Sequence, residues 1–242
     1  MGEKQVIIGL DRYLACKWAD YALELFLSPG EEQEKYQKLK HYMKDEIAGS
    51  ESAEKTASQL RRLWLNNEDS YRELRDAAAR IIHNQMGANH TIYHFGMAIN
   101  VFPIFRETCR RIGEIAAVQH DLNRAVIIDR VSQNYANPSS IPRIVRRVIQ
   151  TLAHWGFLDV RGNNFKVVEI SISDYETGRW LVQAVMSAEN RSEISASLLN
   201  NLPINIGIRI SDVRTLLRTS EVFTIRRKMD GEETISAGPL KY

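Results

Sequence analysis

The 242-residue chain has few of the residues that mark specialised protein classes. Its two cysteines, Cys16 and Cys109, are too few and too widely spaced for a disulfide framework or a thiolate metal site, so both are predicted to be small core residues. No apolar run reaches the roughly 20 residues that span a bilayer. The first residues include Asp11 and Arg12 where a signal peptide needs an apolar segment. We therefore expect a cytoplasmic protein without a membrane segment.

Enzyme motifs are also missing from the sequence. There is no GxxxxGK[ST] phosphate-binding loop, no GxGxxG fingerprint after a strand and no GxSxG nucleophile elbow. Carboxylates are not clustered as a metal-dependent nuclease would need. These absences predict a protein that is not an enzyme and that carries no cofactor.

The histidines raise the question of a metal site. His90 and His94 are four residues apart and would share a helix face, with His83 upstream. A metal site needs a third or fourth ligand, and no carboxylate or thiolate is spaced to supply one. We therefore predict no metal site and expect helix packing and loop polarity to explain these histidines.

The first hundred residues consist of amphipathic segments, in which apolar residues recur every three or four positions. The sequence SPG at 28–30 and Gly49 separate three of these segments, a loop is expected at Gly87–His90, and Pro103 should break the helical pattern. Residues 1–102 are thus predicted to form a helical bundle, the N-terminal domain. Its helices are candidates for self-association or for binding a protein partner.

Between residues 103 and 171 the order of predicted elements becomes more specific. Helices at 104–118 and 124–135 are followed by the turn NPSS, in which Ser139 or Ser140 can cap the next helix. That helix, Ile141–Trp155, has apolar residues at i, i+3, i+4, i+7, i+8 and i+11, and arginines on the opposite face. It ends at Gly156, and a β-hairpin with its turn at 162–164 follows.

This order of elements resembles the winged helix-turn-helix superfamily over about residues 121–169, most closely in LAHWGFLDVRGNNFKVV. In that resemblance Arg124 to Tyr135 is the supporting helix, Ile141 to Trp155 the recognition helix and Leu158 to Val168 the wing. A helical region in front of such a module is also similar to accessory proteins of bacterial phage-defence operons, which implies a role in antiviral defence.

Residues 172–242 form the third predicted domain, an α+β region that is a candidate second winged module. Its predicted elements are a helix capped by Ser173 or Asp174, a short helix from Ser192 through Leu199, a helix capped by Ser211, and a hairpin around Asp230 and Gly231. The predicted fold class is therefore mainly α with small β-hairpins.

Basic residues collect on the two candidate modules. Residues 137–168 contain five Arg or Lys and one acidic residue, and residues 209–228 contain six and two. If the helix Ile141–Trp155 docks in the major groove, the residues nearest the bases are Ser139, Ser140, Arg143 and Arg147. The remaining predicted contacts, mainly to phosphates, are Arg146, Gln150, Arg161, Asn163, Asn164 and Lys166, with a possible second region at Arg214, Arg218, Arg226, Arg227 and Lys228.

The leading hypothesis is a non-enzymatic protein that binds double-stranded DNA, either a transcriptional regulator or the DNA-recognition subunit of a larger complex. The formal net charge of only +2 neither favours nor excludes DNA, and RNA stays open as a ligand. The alternative is a scaffold or adaptor that uses the winged fold for protein contacts. A third possibility is a ligand-sensing regulator with a pocket among the aromatic N-terminal helices.

Overall fold

The computed structural model describes residues 10–66, 70–85, 90–135, 139–218, 222–229 and 232–238. The predicted loop residues 87–89, the turn residues Asn137 and Pro138, and the hairpin turn Asp230–Gly231 lie outside these ranges. The described helices are α1 Cys16–Leu27, α2 Glu32–Glu46, α3 Ser50–Leu60, α4 Arg72–Asn84, α5 His90–Val101, α6 Pro103–Ala116, α7 Arg124–Ser132, α8 Ile141–His154, α9 Tyr175–Ala188 and α10 Val213–Arg218.

A π-helical turn, Arg61–Leu65, continues α3, and two short 3₁₀ turns lie at Leu199–Asn201 and Pro203–Asn205. The strands are β1 Leu122–Asn123, β2 Leu158–Arg161, β3 Asn164–Val167, β4 Ile170–Ile172, β5 Glu193–Ser195, β6 Ile208–Ile210, β7 Phe223–Arg227 and β8 Glu233–Ala237. The prediction of a mainly helical protein with small sheets is confirmed. None of the described helices has the length and apolar character that crossing a membrane requires.

The predicted stop signals end helices for the expected reasons. Gly30 and Gly49 adopt φ angles of 121° and 101°, which residues with a side chain rarely tolerate. Pro103 occupies the first turn of α6, where its missing N–H costs nothing, and separates α6 from α5.

Helix α5 is the central helix of the core. It is buried from Ile92 to Val101 and packs against α6 and α9. A Cβ atom on Gly96 would lie 2.4 Å from the Trp180 ring, so glycine is what allows α9 to approach this closely. The buried apolar residues of all three predicted domains belong to one contiguous cluster. The predicted domain boundaries at residues 102 and 171 stay predictions.

Helices α6, α7 and α8 are accompanied by a small antiparallel sheet with the strand order β1-β3-β2. Phe165 of β3 pairs with Leu122 of β1 on one side and with Val160 of β2 on the other. The apolar face of α8 is buried as the periodicity predicts. Of the two predicted caps, Ser140 occupies the N-cap position of α8, and its side chain makes no capping hydrogen bond.

The C-terminal region contains a second three-stranded antiparallel sheet, with the order β5-β8-β7, and a parallel pair, β4 and β6. Helix α9 is capped by Asp174, which accepts from the Thr177 N–H at 2.7 Å. Helix α10 is capped by Asp212, which accepts from the Thr215 N–H, so the predicted cap at Ser211 is wrong.

The short helix predicted from Ser192 through Leu199 is also wrong. Ile194 lies in strand β5 and pairs with Ile235 of β8, and both side chains are buried. Leu199 begins a 3₁₀ turn. Pairing with β8 and burial decide the structure of this segment, and the local sequence pattern does not contain that partner strand.

Candidate nucleic-acid interface

The exposed face of α8 carries the basic residues that the sequence placed there. Arg143, Arg146, Arg147 and Gln150 are all exposed, while the residues between them contact the core. Helix α8 contains no acidic residue, so its exposed face is cationic or neutral throughout. The helix therefore presents guanidinium groups on a rigid, buried support.

A depression of about 730 Å³ lies beside this face. Four arginines line it, and they come from two helices: Arg124 from the first residue of α7, and Arg143, Arg146 and Arg147 from α8. The rest of the lining consists of Gln150, His154, Ile149, Ala153 and Val160. The volume lies within the range of pockets that hold small ligands or parts of larger ones.

No carboxylate of the described residues neutralises the charge of this depression through an ion pair. None of the four arginines forms an ion pair with any residue that the structure describes, and the only acceptor that Arg147 engages is the neutral Gln150 Oε1, at 2.9 Å. Two neighbouring basic residues do have carboxylate partners: Arg161 contacts Asp159 at 3.0 Å and Lys166 contacts Asp121 at 3.4 Å. Like charges grouped without counter-charges raise the local potential and attract anions.

The β2–β3 hairpin is hydrogen-bonded to the start of α7. The Arg124 backbone N–H donates to the Asn163 carbonyl at 2.9 Å, and Arg124 Nη2 donates to the Gly162 carbonyl at 3.1 Å. The Asn123 side chain donates to Asn164 Oδ1 at 2.9 Å and also caps α7 by accepting from the Ala125 N–H. The hairpin turn and the N-terminus of α7 therefore hold each other in position.

The predicted contact residues divide between this depression and its surroundings. Of the ten residues in the first predicted set, Arg143, Arg146, Arg147 and Gln150 line it together. Lys166 instead lines a different depression of about 700 Å³, next to the end of α6 and residues 200–209. Arg161, Asn163 and Asn164 are exposed on the hairpin, and Ser139 and Ser140 precede α8.

Two residues that line the depression, Arg124 and His154, were not among the predicted contacts. Arg124 reaches the depression because β1 pairs with β3, and no local pattern announces a two-residue strand. His154 stands one helical turn after Gln150, and the helical spacing of the sequence does place it on the basic face of α8, although not as a contact residue.

The C-terminal end of α8 is docked on the segment that leads into α1. The Leu14 N–H donates to Thr151 Oγ1 at 3.0 Å, and the Cys16 N–H donates to His154 Nδ1 at 3.4 Å. The N-terminal bundle thus fixes the orientation of a residue that lines the arginine depression.

The second predicted basic region is exposed but more neutralised. Arg214, Arg218, Arg226, Arg227 and Lys228 all reach the surface. Arg226 contacts Glu193 at 3.4 Å, and Lys228 contacts Glu232 at 2.7 Å. This region therefore offers an anion less uncompensated charge than the depression beside α8.

His90 and His94 lie in a hydrogen-bonded cluster that the sequence did not predict, whereas His83 is exposed on α4. Asp20 Oδ1 contacts His94 Nε2 at 3.0 Å and His90 Nδ1 at 3.3 Å, and Cys16 Sγ lies 3.4 Å from Asp20 Oδ2. A carboxylate and a thiol are therefore close to these histidines, which corrects the expectation that neither would be. The ligand atoms of Cys16, Asp20 and His94 lie within 4.8 Å of one another.

The hydrogen bonds of this cluster do not fit a metal centre. The Trp64 indole N–H donates to His94 Nδ1 at 3.0 Å, so the neutral His94 ring carries its proton on Nε2 and donates to Asp20. A metal at Nε2 would need the lone pair that this proton occupies. The second ring nitrogen of a metal-binding histidine normally donates a hydrogen bond, whereas Nδ1 of His94 accepts one.

The protonation of the neighbouring groups agrees with a structural role for the cluster. Burial lowers the pKa of His94, although Asp20 opposes the shift, and the ring is held neutral. Burial, followed by the charge of Asp20, raises the pKa of Cys16 to about 12, so this residue is a thiol and not a thiolate. The cluster links α1, α5 and the π-helical turn.

Comparisons with protein-family models, with curated proteins and with solved structures find no match to this chain. The function is therefore argued from the geometry and charge of the site.

Proposed function

We propose that this protein binds double-stranded DNA through the exposed face of α8, without catalysing a reaction. In this proposal residues 121–169 are a winged helix-turn-helix module, with α7 as the supporting helix, α8 as the recognition helix and the β2–β3 hairpin as the wing. The protein would act as a transcriptional regulator or as the DNA-recognition subunit of a larger complex, and phage defence is one setting for such a subunit.

The observation that carries the proposal is the group of arginines without ion pairs beside α8. DNA affinity comes largely from Arg and Lys that neutralise phosphates and release bound counter-ions. Arginines that already contact carboxylates would first have to give up those contacts, and none of the four in the depression makes an ion pair with a described residue. The buried apolar face of α8 fixes the backbone positions from which three of these arginines project to the surface.

The arrangement around α8 supports the same proposal. The chain runs from α6 through the short β1 into α7 and α8 and then into a hairpin whose second strand pairs with β1. The C-terminal sheet repeats this strand order, with β5 in the place of β1. We accordingly propose that the C-terminal region is a second, more neutralised winged module, with α10 in the position of α8.

The test is a fluorescence anisotropy titration of duplex DNA of mixed sequence at about 50 and 200 mM salt. The variant is the double charge reversal Arg143→Glu with Arg147→Glu. The matched control is Arg72→Glu with Arg80→Glu, which makes the same change in net charge at two exposed arginines of α4. A duplex RNA of the same sequence distinguishes the two nucleic acids.

We expect salt-sensitive binding of duplex DNA by the wild type and by the α4 control. The α8 double reversal should weaken binding by at least about tenfold, because two cations are lost and two anions face the phosphates. Absence of wild-type binding at low salt, or equal losses in the two double variants, would refute the proposal. That result would leave a scaffold with a protein partner as the better hypothesis.

A further inference from the structure

One of the four arginines in the depression comes from outside α8. Arg124 is the first residue of α7, yet its side chain lines the same depression as Arg143, Arg146 and Arg147. The site is therefore formed by two helices whose side chains face a common space.

The Arg124 side chain is held in place from the wing side. Its Nη2 donates to the Gly162 carbonyl at 3.1 Å, at the tip of the hairpin. Its Nε is shielded from solvent and has no acceptor among the described residues. The bond to Gly162 therefore orients the guanidinium group, whose remaining N–H donors are available to a ligand in the depression.

The groups that line the depression indicate what kind of ligand suits it. Guanidinium groups only donate, and four of them meet here with two further polar side chains, Gln150 and His154. A phosphate oxygen only accepts, and arginine binds phosphate through paired N–H donors. A base edge presents both donors and acceptors. Side chains that project into a groove of the duplex contact it, whereas this depression is lined mainly by donors.

We propose that this depression is a phosphate subsite in which Arg124 and the α8 arginines hold one phosphate of the DNA backbone from opposite sides. The inference rests on the proposed function and adds to it a specific ligand group and a residue outside the recognition helix. Because Arg124 is bonded to the hairpin tip, occupation of the subsite also holds the hairpin against the duplex.

The experiment measures binding of two duplexes of unrelated sequence across about 50 to 200 mM salt, for the full-length protein and three variants. Arg124→Gln removes the charge, and Arg124→Lys retains it. Arg130→Gln removes an equal charge from an exposed position of α7 that does not line the depression. Thermal unfolding of each variant reports whether the fold is retained.

For Arg124→Gln we expect the slope of log K against log salt to become shallower by about 0.9, the value for one phosphate contact. This corresponds to an affinity loss of about eightfold at 0.1 M salt, equal on both sequences. Arg124→Lys should keep most of the slope, and Arg130→Gln should match the wild type.

Several results would overturn the phosphate subsite while leaving DNA binding intact. These are an Arg124→Gln slope equal to that of Arg130→Gln, a loss much larger on one sequence than on the other, or an Arg124→Lys slope as shallow as that of Arg124→Gln. The first means no contact, the second a base contact, and the third a purely structural role. Failure of the wild type to bind either duplex would instead remove the proposed function itself.

Discussion

Arg75 of α4 is a fully buried guanidinium, and its replacement by methionine should destabilise the fold strongly. Its Nε donates to the Leu63 carbonyl at 2.8 Å, Nη1 to Asn66 at 2.8 Å and Nη2 to Arg62 at 2.6 Å. These carbonyls lie in and just after the π-helical turn Arg61–Leu65, where the helix ends. The last carbonyls of a helix have no N–H partner within it. Arg75 therefore acts as the C-terminal cap of this helical segment.

The size of the effect follows from two opposing contributions. Each of the three hydrogen bonds is charge-assisted and contributes about 1.5–3 kcal/mol. Removing the cation also removes the cost of burying it, which is several kcal/mol. The net loss for Arg75→Met should be about 3–5 kcal/mol, a large part of the about 5–15 kcal/mol that stabilises a typical domain. Arg75→Lys keeps the charge but loses the planar fork, so we expect a smaller loss of about 2 kcal/mol.

Urea unfolding followed by far-UV circular dichroism measures these differences. Arg72→Met is the control, because Arg72 is exposed on the same helix and contacts only Asp76 at 3.7 Å among the ion pairs described, so its loss should cost less than about 0.5 kcal/mol. An Arg75→Met variant within about 1 kcal/mol of the wild type would show that the buried guanidinium does not cap the helical turn.

Two further predictions concern the core. Because burial lowers the pKa of His94, the unfolded chain binds its proton first as pH falls, and stability should decrease from about pH 6.5 downward. The stability advantage of the wild type over His94→Gln should therefore shrink between pH 7.5 and 5 in urea unfolding; an advantage independent of pH would contradict this reasoning. In Gly113→Ala the new Cβ would lie 1.8 Å from the Pro203 carbonyl oxygen, so we expect a loss of about 2–3 kcal/mol. A loss below about 0.5 kcal/mol in the same assay would mean that the 3₁₀ turn can move away from α6.

Much of the fold was predictable wherever local pattern and burial agree. The apolar positions of α8 are buried and its arginines exposed, and the β2–β3 hairpin turns at Gly162, whose φ is 61°. The segment around Ile194 shows the opposite case. It forms a strand only because β8, about forty residues later in the chain, offers a pairing edge and a buried partner.

The candidate site shows the same division. The three arginines of α8 were predictable, because a helix places residues at i, i+3 and i+4 on one side. That they form no ion pair with a described residue was not predictable, because this depends on which carboxylates the fold brings near. Arg124 joins them only through the pairing of β1 with β3.

By itself the sequence determined the helical segments, their buried faces and the basic face of α8, since periodicity and turn residues act over a few positions. The tertiary structure decided which distant groups meet. It placed Asp20 against His94, Arg75 on the carbonyls of the π-helical turn, and Arg124 beside the α8 arginines. These contacts join residues far apart in the chain, and only packing of the whole core selects among the many pairings that local pattern allows.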